Sequence, residues 1–189
     1  MAVYYPSYKF MELLKNEEEF PDFKHEVEIQ GESHRHRKER KARIEKYAKE
    51  NVPFILHGIM GGSYYEGIDF RFNPFKAIVV AGFPISTYNA SQKAYQRYLR
   101  DKFDYETAWR MSAVMPAMIR TNQAIGRGIR NERDWCACIL VDSRFMMEKM
   151  YLQPHLRSNI QYVSAGDVGK FVSKFIEQMK LSSNNHSKR

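Results

Sequence analysis

A chain of 189 residues is long enough to bury one substantial core and short for two. With 43% apolar residues it has a globular composition, and no run approaches the ~18 consecutive apolar residues of a membrane span, so a membrane partner is not expected. The net charge of +8 points to a polyanionic partner, and two cysteines, Cys136 and Cys138, are too few for a four-thiolate metal site.

Residues 2–5 suit a strand, and Pro6 ends it before Phe10, Leu13 and Leu14 supply a short helical stripe with Ser7 as N-cap. Such a first strand is meagre, which suggests truncation of a larger design. No charged segment precedes an apolar run there, so a cytosolic setting is the expectation. Residues 24–30 alternate, with His25, Val27 and Ile29 on one side and Glu26, Glu28 and Gln30 on the other, predicting a second strand.

Residues 31–50 carry eight Lys or Arg against four Glu, half of the chain's excess charge. Residues 33–50 are helical by propensity but thinly apolar, with Ile44, Tyr47 and Ala48 to pack. The face is either solvated or in contact with phosphate, and nucleic acid is preferred to a membrane surface because no Leu/Phe/Trp face is available for insertion.

Residues 52–60 and 76–82 are apolar runs expected as buried strands, and 89–103 alternate Lys and Arg with Tyr95, Tyr98 and Leu99 along an amphipathic helix. Ala108, Met111, Met115, Met118, Asn122 and Ile125 repeat at helical spacing, with Pro116 marking a kink or a new helix start. Residues 136–142 predict a strand with both cysteines on one face, 143–151 a short helix and 159–163 a last strand. Val168, Phe171, Val172, Phe175, Ile176 and Met179 form a regular apolar face that should pack on a sheet. Residues 181–189 are polar and expected to be disordered. Strands alternating with helices imply an α/β, doubly wound parallel sheet covered on both faces, with ligands beyond the strands' carboxyl ends.

Two stretches carry the chemistry. If helical, residues 122–130 place Gln123, Arg127 and Arg130 at i, i+4 and i+7, an amide and two guanidiniums on one face. Arginine grips phosphate bidentately and stays charged, while Gly126 and Gly128 admit a close neighbour; the plain alternative is a solvated basic helix end. Residues 61–70 combine Gly61, Gly62 and Gly67 with Glu66 and Asp69, which can hold a cation, a ribose hydroxyl or an arginine. This is a turn or a site, and no Gly-x4-Gly-Lys-Ser/Thr phosphate cradle occurs in the chain.

Together, in this order, the stretches resemble the second motor domain of the XPD/DinG-like superfamily 2 DNA helicases. Tyr4-Tyr5-Pro6-Ser7-Tyr8 is similar to helicase motif IV, residues 62–70 with their Glu-Gly-Ile-Asp-Phe core to motif V, residues 123–134 to motif VI, and Leu140-Val141-Asp142-Ser143-Arg144-Phe145 to the family's pattern after motif VI. The resemblance implies a RecA-like domain over residues 1–180 followed by a tail at 181–189. It implies that Arg127, Arg130 and Gln123 serve catalysis, and that Glu66, Gly67 and Asp69 join them in binding ATP. Ser7, Tyr8, Ser63, Tyr64, Tyr65 and Arg71 would line a single-stranded DNA track.

The family pattern usually has Gly where this chain has Cys136, which puts the shape of that turn in question. The Walker A lysine, the Asp-Glu-x-His box and the iron–sulfur domain of intact members would precede Met1. The expectation is therefore half of an ATP- and Mg2+-dependent motor that moves 5′ to 3′ in DNA repair, inert without its N-terminal partner domain. The location would be the nucleoid or the nucleus. A non-catalytic DNA-binding scaffold is the alternative, and an unrelated α/β nucleotide or sugar-phosphate enzyme a third reading.

Overall fold

The computed structural model describes residues 1–15, 20–66, 70–86, 89–129, 131 and 134–186. Five strands, β1 (Ala2–Tyr5), β2 (Lys24–Val27), β3 (Phe54–Ile59), β4 (Ala77–Ala81) and β5 (Ala137–Val141), form one parallel sheet in the order β2-β3-β1-β4-β5. The short first strand lies at its centre, Ala2 being flanked by Leu56 of β3 and Ile78 of β4. Because side chains alternate across a strand, Ala2 and Tyr4 face one layer and Val3 and Tyr5 the other.

Nine helices accompany the sheet among the described residues: α1 (Tyr8–Leu14), α2 (His34–Lys49), α3 (Ser63–Glu66), α4 (Ala90–Arg100), α5 (Tyr105–Trp109), α6 (Met115–Gly126), α7 (Arg144–Met147), α8 (Pro154–Arg157) and α9 (Val168–His186). Met11 of α1 packs with Tyr5, Ile59 and Ala81 on one face. Ile44 of α2 and Ala117, Met118 and Ala124 of α6 join Tyr4, Leu56, Ile78 and Val80 on the other. Helices thus cover both faces, as the alternation of strand and helix requires.

Helix α1 starts where Ser7 accepts from the Phe10 amide at 3.2 Å, and α4 where Asn89 does the same for Gln92 at 2.9 Å. Between α5 and α6 a π-helical turn, Arg110–Val114, keeps the helical path unbroken into Pro116. The Met115 amide there bonds back to the Arg110 carbonyl, so the wider turn shifts the bonding register just ahead of a residue that has no N–H. This is how the Met stripe passes Pro116 without a break.

Three sequence expectations are corrected. Residues 159–163 form no strand, because β5 takes no further partner and the segment runs irregularly beside it. Helix α9 continues past Leu181 to His186. Its apolar face meets β5 loosely: Phe171 is 48% exposed, and Phe175 meets Trp135 edge-on at 6.1 Å between centroids.

Candidate functional site: two linked surfaces

Most of the expected DNA-track residues gather at the carboxyl edge of the sheet, around one buried carboxylate. The alternation of residues 24–30 puts Glu28 on the same side as Glu26, and both are buried, Glu28 to 2% exposure. Glu28 accepts the Ile59 amide at 2.9 Å through Oε2, and the Ser63 amide at 2.7 Å and hydroxyl at 3.0 Å through Oε1. The Tyr8 hydroxyl adds a longer bond of 3.5 Å. Four donors satisfy the charge, and they tie the segment after β1 to the segment after β3.

Local backbone allows this. Gly61 has φ of 86°, in the left-handed region, and a Cβ on Gly62 would lie 2.8 Å from Glu28 Cδ. Only glycine lets the turn close over the carboxylate. Sequence reading missed Glu28 because alternation marked its side of the strand as polar and therefore outward.

Ser7 is exposed and Tyr8 half-buried at this edge, and Arg71 is exposed with its amide bonded to Glu45 Oε1 at 3.0 Å. Tyr64 departs from the expected set. It is fully buried, its hydroxyl accepts from Arg40 Nη1 at 3.0 Å, and the Arg40 guanidinium lies 5.3 Å from its ring centre. A ring so enclosed has no face left for a base, so Tyr64 is structural. Gly67, Asp69 and Arg130 lie outside the described residues, as do the side chains of Tyr65 and Glu66.

The second surface is the end of α6. The helix stops at Gly126 with Arg127 as C-cap, so the helical spacing expected through Arg130 does not continue past Arg127. Gln123 is exposed and Arg127 half-buried, one turn apart. Arg127 is close enough to Tyr4 to favour its phenolate, although burial dominates and holds that phenol well above its usual range.

Gly128 follows, pressed against the start of β5. A Cβ there would meet Cys136 Sγ at 2.5 Å and Cβ at 2.6 Å. The Cys136 substitution is thereby explained: its side chain fills the space that Gly128 leaves open, and no positive φ is needed at 136. Asn73 links the two surfaces. Its Nδ2 donates to the Gly128 carbonyl while its Oδ1 accepts the Phe75 amide at 2.9 Å, so the segment leading from α3 to β4 is fastened to the end of α6. Asn73 had no signal in the sequence beyond being a polar residue before an apolar run.

A third feature completes the carboxyl edge. Asp142, just after β5, accepts the Phe83 amide at 3.2 Å and is gripped by Arg144 through Nε at 2.8 Å and Nη2 at 2.6 Å. The Arg144 bonds hold its carboxyl low, at about 2, against a smaller opposing effect of burial. Arg144 also lies over the Phe83 ring at 5.1 Å.

A helicase C-terminal domain model matches residues 1–160. The chain belongs to that family. The helicase C-terminal domain aligns with "ATP-dependent DNA helicase CHL1" of Candida glabrata at 31% identity over 137 residues, 66% of this chain and 16% of the relative. It aligns with "Regulator of telomere elongation helicase 1 homolog" of Aedes aegypti at 28% over 165 residues, 74% of this chain and 16% of the relative. A solved XPD helicase chain superposes with a TM-score of 0.60 at 24% identity, covering 79% of this chain and 26% of that one. That likeness gives the helicase C-terminal domain its XPD-type α/β fold. The chain spans about one-sixth of the length of these curated relatives.

Among the described residues, no group of three His, Cys, Asp or Glu side chains is placed to hold a metal ion. Cys136 and Cys138 are free thiols; a hydrogen bond with Cys138 and burial push the Cys136 thiol up, and two thiols are too few for a four-thiolate cluster. No helix among the described residues is long and apolar enough to cross a membrane.

Proposed function

We propose that this helicase C-terminal domain is the second motor domain of an ATP-dependent DNA helicase acting at the nucleoid or nucleus, part of a DNA-repair machine moving 5′ to 3′. The observation that carries the reading is Gln123 beside Arg127 at the end of α6, anchored through Gly128 and Asn73 to the segment ahead of β4 that bears Arg71. One surface suits a triphosphate, the other a strand of DNA, and the Asn73 side chain, donating to the Gly128 carbonyl, joins the segment before β4 to the end of α6. That is the linkage a motor needs between hydrolysis and movement.

ATP with Mg2+ would be held mainly by the N-terminal motor domain, which supplies the phosphate cradle. Arg127, with Arg130, would bring positive charge to the γ-phosphoryl group as its charge spreads, an effect worth roughly three to five powers of ten in rate for arginine fingers. Gln123 would orient the guanidiniums. Glu66, Gly67 and Asp69 would carry the nucleotide state toward the DNA. Ser7, Tyr8, Ser63, Tyr65 and Arg71 would contact the single strand through serine hydroxyls, two tyrosine rings and a cation.

The isolated chain should hydrolyse no ATP above background. Mixed with or fused to an N-terminal motor domain, it should gain DNA-stimulated turnover, which Arg127→Ala lowers at least a hundredfold while DNA affinity stays within about threefold. Unchanged turnover in that variant would overturn the motor reading and leave a DNA-binding scaffold.

A further inference from the structure

Helix α4 divides its residues sharply. Gln96 and Leu99 are buried and Gln92 half-buried, at i, i+4 and i+7 facing the core, whereas Lys93, Tyr95, Arg97, Tyr98 and Arg100 are exposed. Tyr95 is 47% exposed and Tyr98 56%, and beyond the helix end Phe103 and Tyr105 are 45% and 64% exposed. Four large rings within eleven residues face water, an arrangement a solvated helix gains nothing from.

The cations among them are arranged against the rings. Lys102 Nζ lies 5.1 Å from the Tyr98 ring centre and the Arg100 guanidinium 5.2 Å from that of Tyr105. Each of these rings has a cation near it and still keeps about half or more of its surface open. Two of the nearby carboxylates are engaged elsewhere: Asp104 caps α5 by accepting from the Thr107 amide at 2.9 Å and hydroxyl at 2.7 Å, and Glu106 pairs with Arg110 at 3.1 Å. Asp101 is the C-cap of α4 through its backbone N–H, which donates to the Arg97 and Leu99 carbonyls.

We infer that the outer face of α4 and the α4–α5 turn is a second single-stranded DNA contact, with bases stacking on Tyr95, Tyr98 and Tyr105 and phosphates on Lys93, Arg97, Arg100 and Lys102. The inference extends the DNA-binding reading above and rests on it. Alternating flat rings and cations match a single strand, whose bases are free to turn outward; a duplex keeps its base faces inside, and an acidic peptide has no use for the rings. Position agrees. Helix α4 starts just after the strap at residues 83–86, which leaves the carboxyl end of β4 on the same edge of the sheet as Ser7 and Ser63. A strand laid along that edge would continue onto α4.

The test is fluorescence anisotropy of the full chain with labelled dT6 and dT16, and with heparin as a polyanion without bases. Tyr95→Ala/Tyr98→Ala should weaken dT16 binding tenfold or more and leave dT6 and heparin nearly unchanged, since each stacked base contributes about 5- to 150-fold. Arg97→Gln/Arg100→Gln should reduce the log–log salt slope for dT16 by about 1.4. All four side chains are exposed, and equal thermal midpoints would confirm intact folding. Wild-type affinity for dT16 in the tyrosine variant would overturn the α4 contact alone, as would equal losses for heparin and dT16. No binding of any oligonucleotide by the wild type would overturn the DNA-binding reading together with it.

Discussion

Glu28 shows how one side chain can shape a site without facing its ligand. Its carboxylate faces donors only, so Glu28→Gln must turn an NH2 toward at least one N–H or O–H. Loss of about 1–3 kcal/mol is expected, with faster amide exchange at Ile59 and Ser63. Unchanged exchange there would refute its ordering role. Gly128→Ala should cost about 1–3 kcal/mol by colliding with Cys136, and Gly128→Ala/Cys136→Gly should recover much of it, because the two positions share one volume. If the double variant is no more stable than the single, that packing account is wrong.

Asp142 adds a pH dependence of known sign. Its folded pKa lies below the ordinary carboxylate value, so its contribution is present above about pH 4 and fades as pH falls toward 2. Arg144→Ala should cost on the order of 1 kcal/mol at neutral pH, the pair being partly exposed, and the gap to wild type should close between about pH 4 and 2. Carboxyl NMR titration of Asp142 checks this directly. At this scale the tight-turn glycines Gly61, Gly62 and Gly128 were legible in the sequence, whereas Glu28 and Asn73 were not, since a buried carboxylate looks like any surface acid until its donors are brought to it.

At the scale of the elements, α2 was legible as a basic helix but not as a buried anchor. Arg40 reaches Glu26 at 3.3 Å, Glu32 and the Tyr64 hydroxyl, and Arg43 takes both oxygens of Glu26 at 2.7 Å. Two of its eight cations are therefore engaged with carboxylates from β2 and the turn after it, which lowers the charge left for an external partner. Arg40→Ala leaves Glu26 and Glu32 under-paired beside an apolar layer and should destabilise by about 3–5 kcal/mol. Arg35→Ala, on the solvated side, should leave the urea midpoint unchanged. Equal effects from both would mean that the buried network contributes nothing specific. The family resemblance implies a DNA role for Tyr64, and the ring instead lies against Arg40.

At the scale of the molecule, α9 is loosely seated on the fold, with Phe171 48% exposed. It lies beyond the 1–160 family match, and with β5 and residues 159–163 it borders an apolar cleft of about 520 Å3, open on one side and lined by Cys138, Leu140, Phe171 and Phe175. Truncation after residue 164 should lower the thermal midpoint by several degrees and raise binding of an apolar dye, without loss of the parallel sheet by circular dichroism. Collapse of the sheet would show instead that α9 is indispensable to the core.

Sequence by itself determined the five strands, the longer helices between them, the parallel α/β class and the tight-turn glycines Gly61, Gly62 and Gly128. These follow from local periodicity, caps and turn residues, which act over a few neighbours. The tertiary structure alone decided which charges are buried, that residues 159–163 find no strand partner, that Cys136 occupies the space beside Gly128, and that Asn73 joins the two surfaces. Each depends on groups 8 to 55 residues apart meeting in space, and no local pattern records which distant donor will reach a given acceptor.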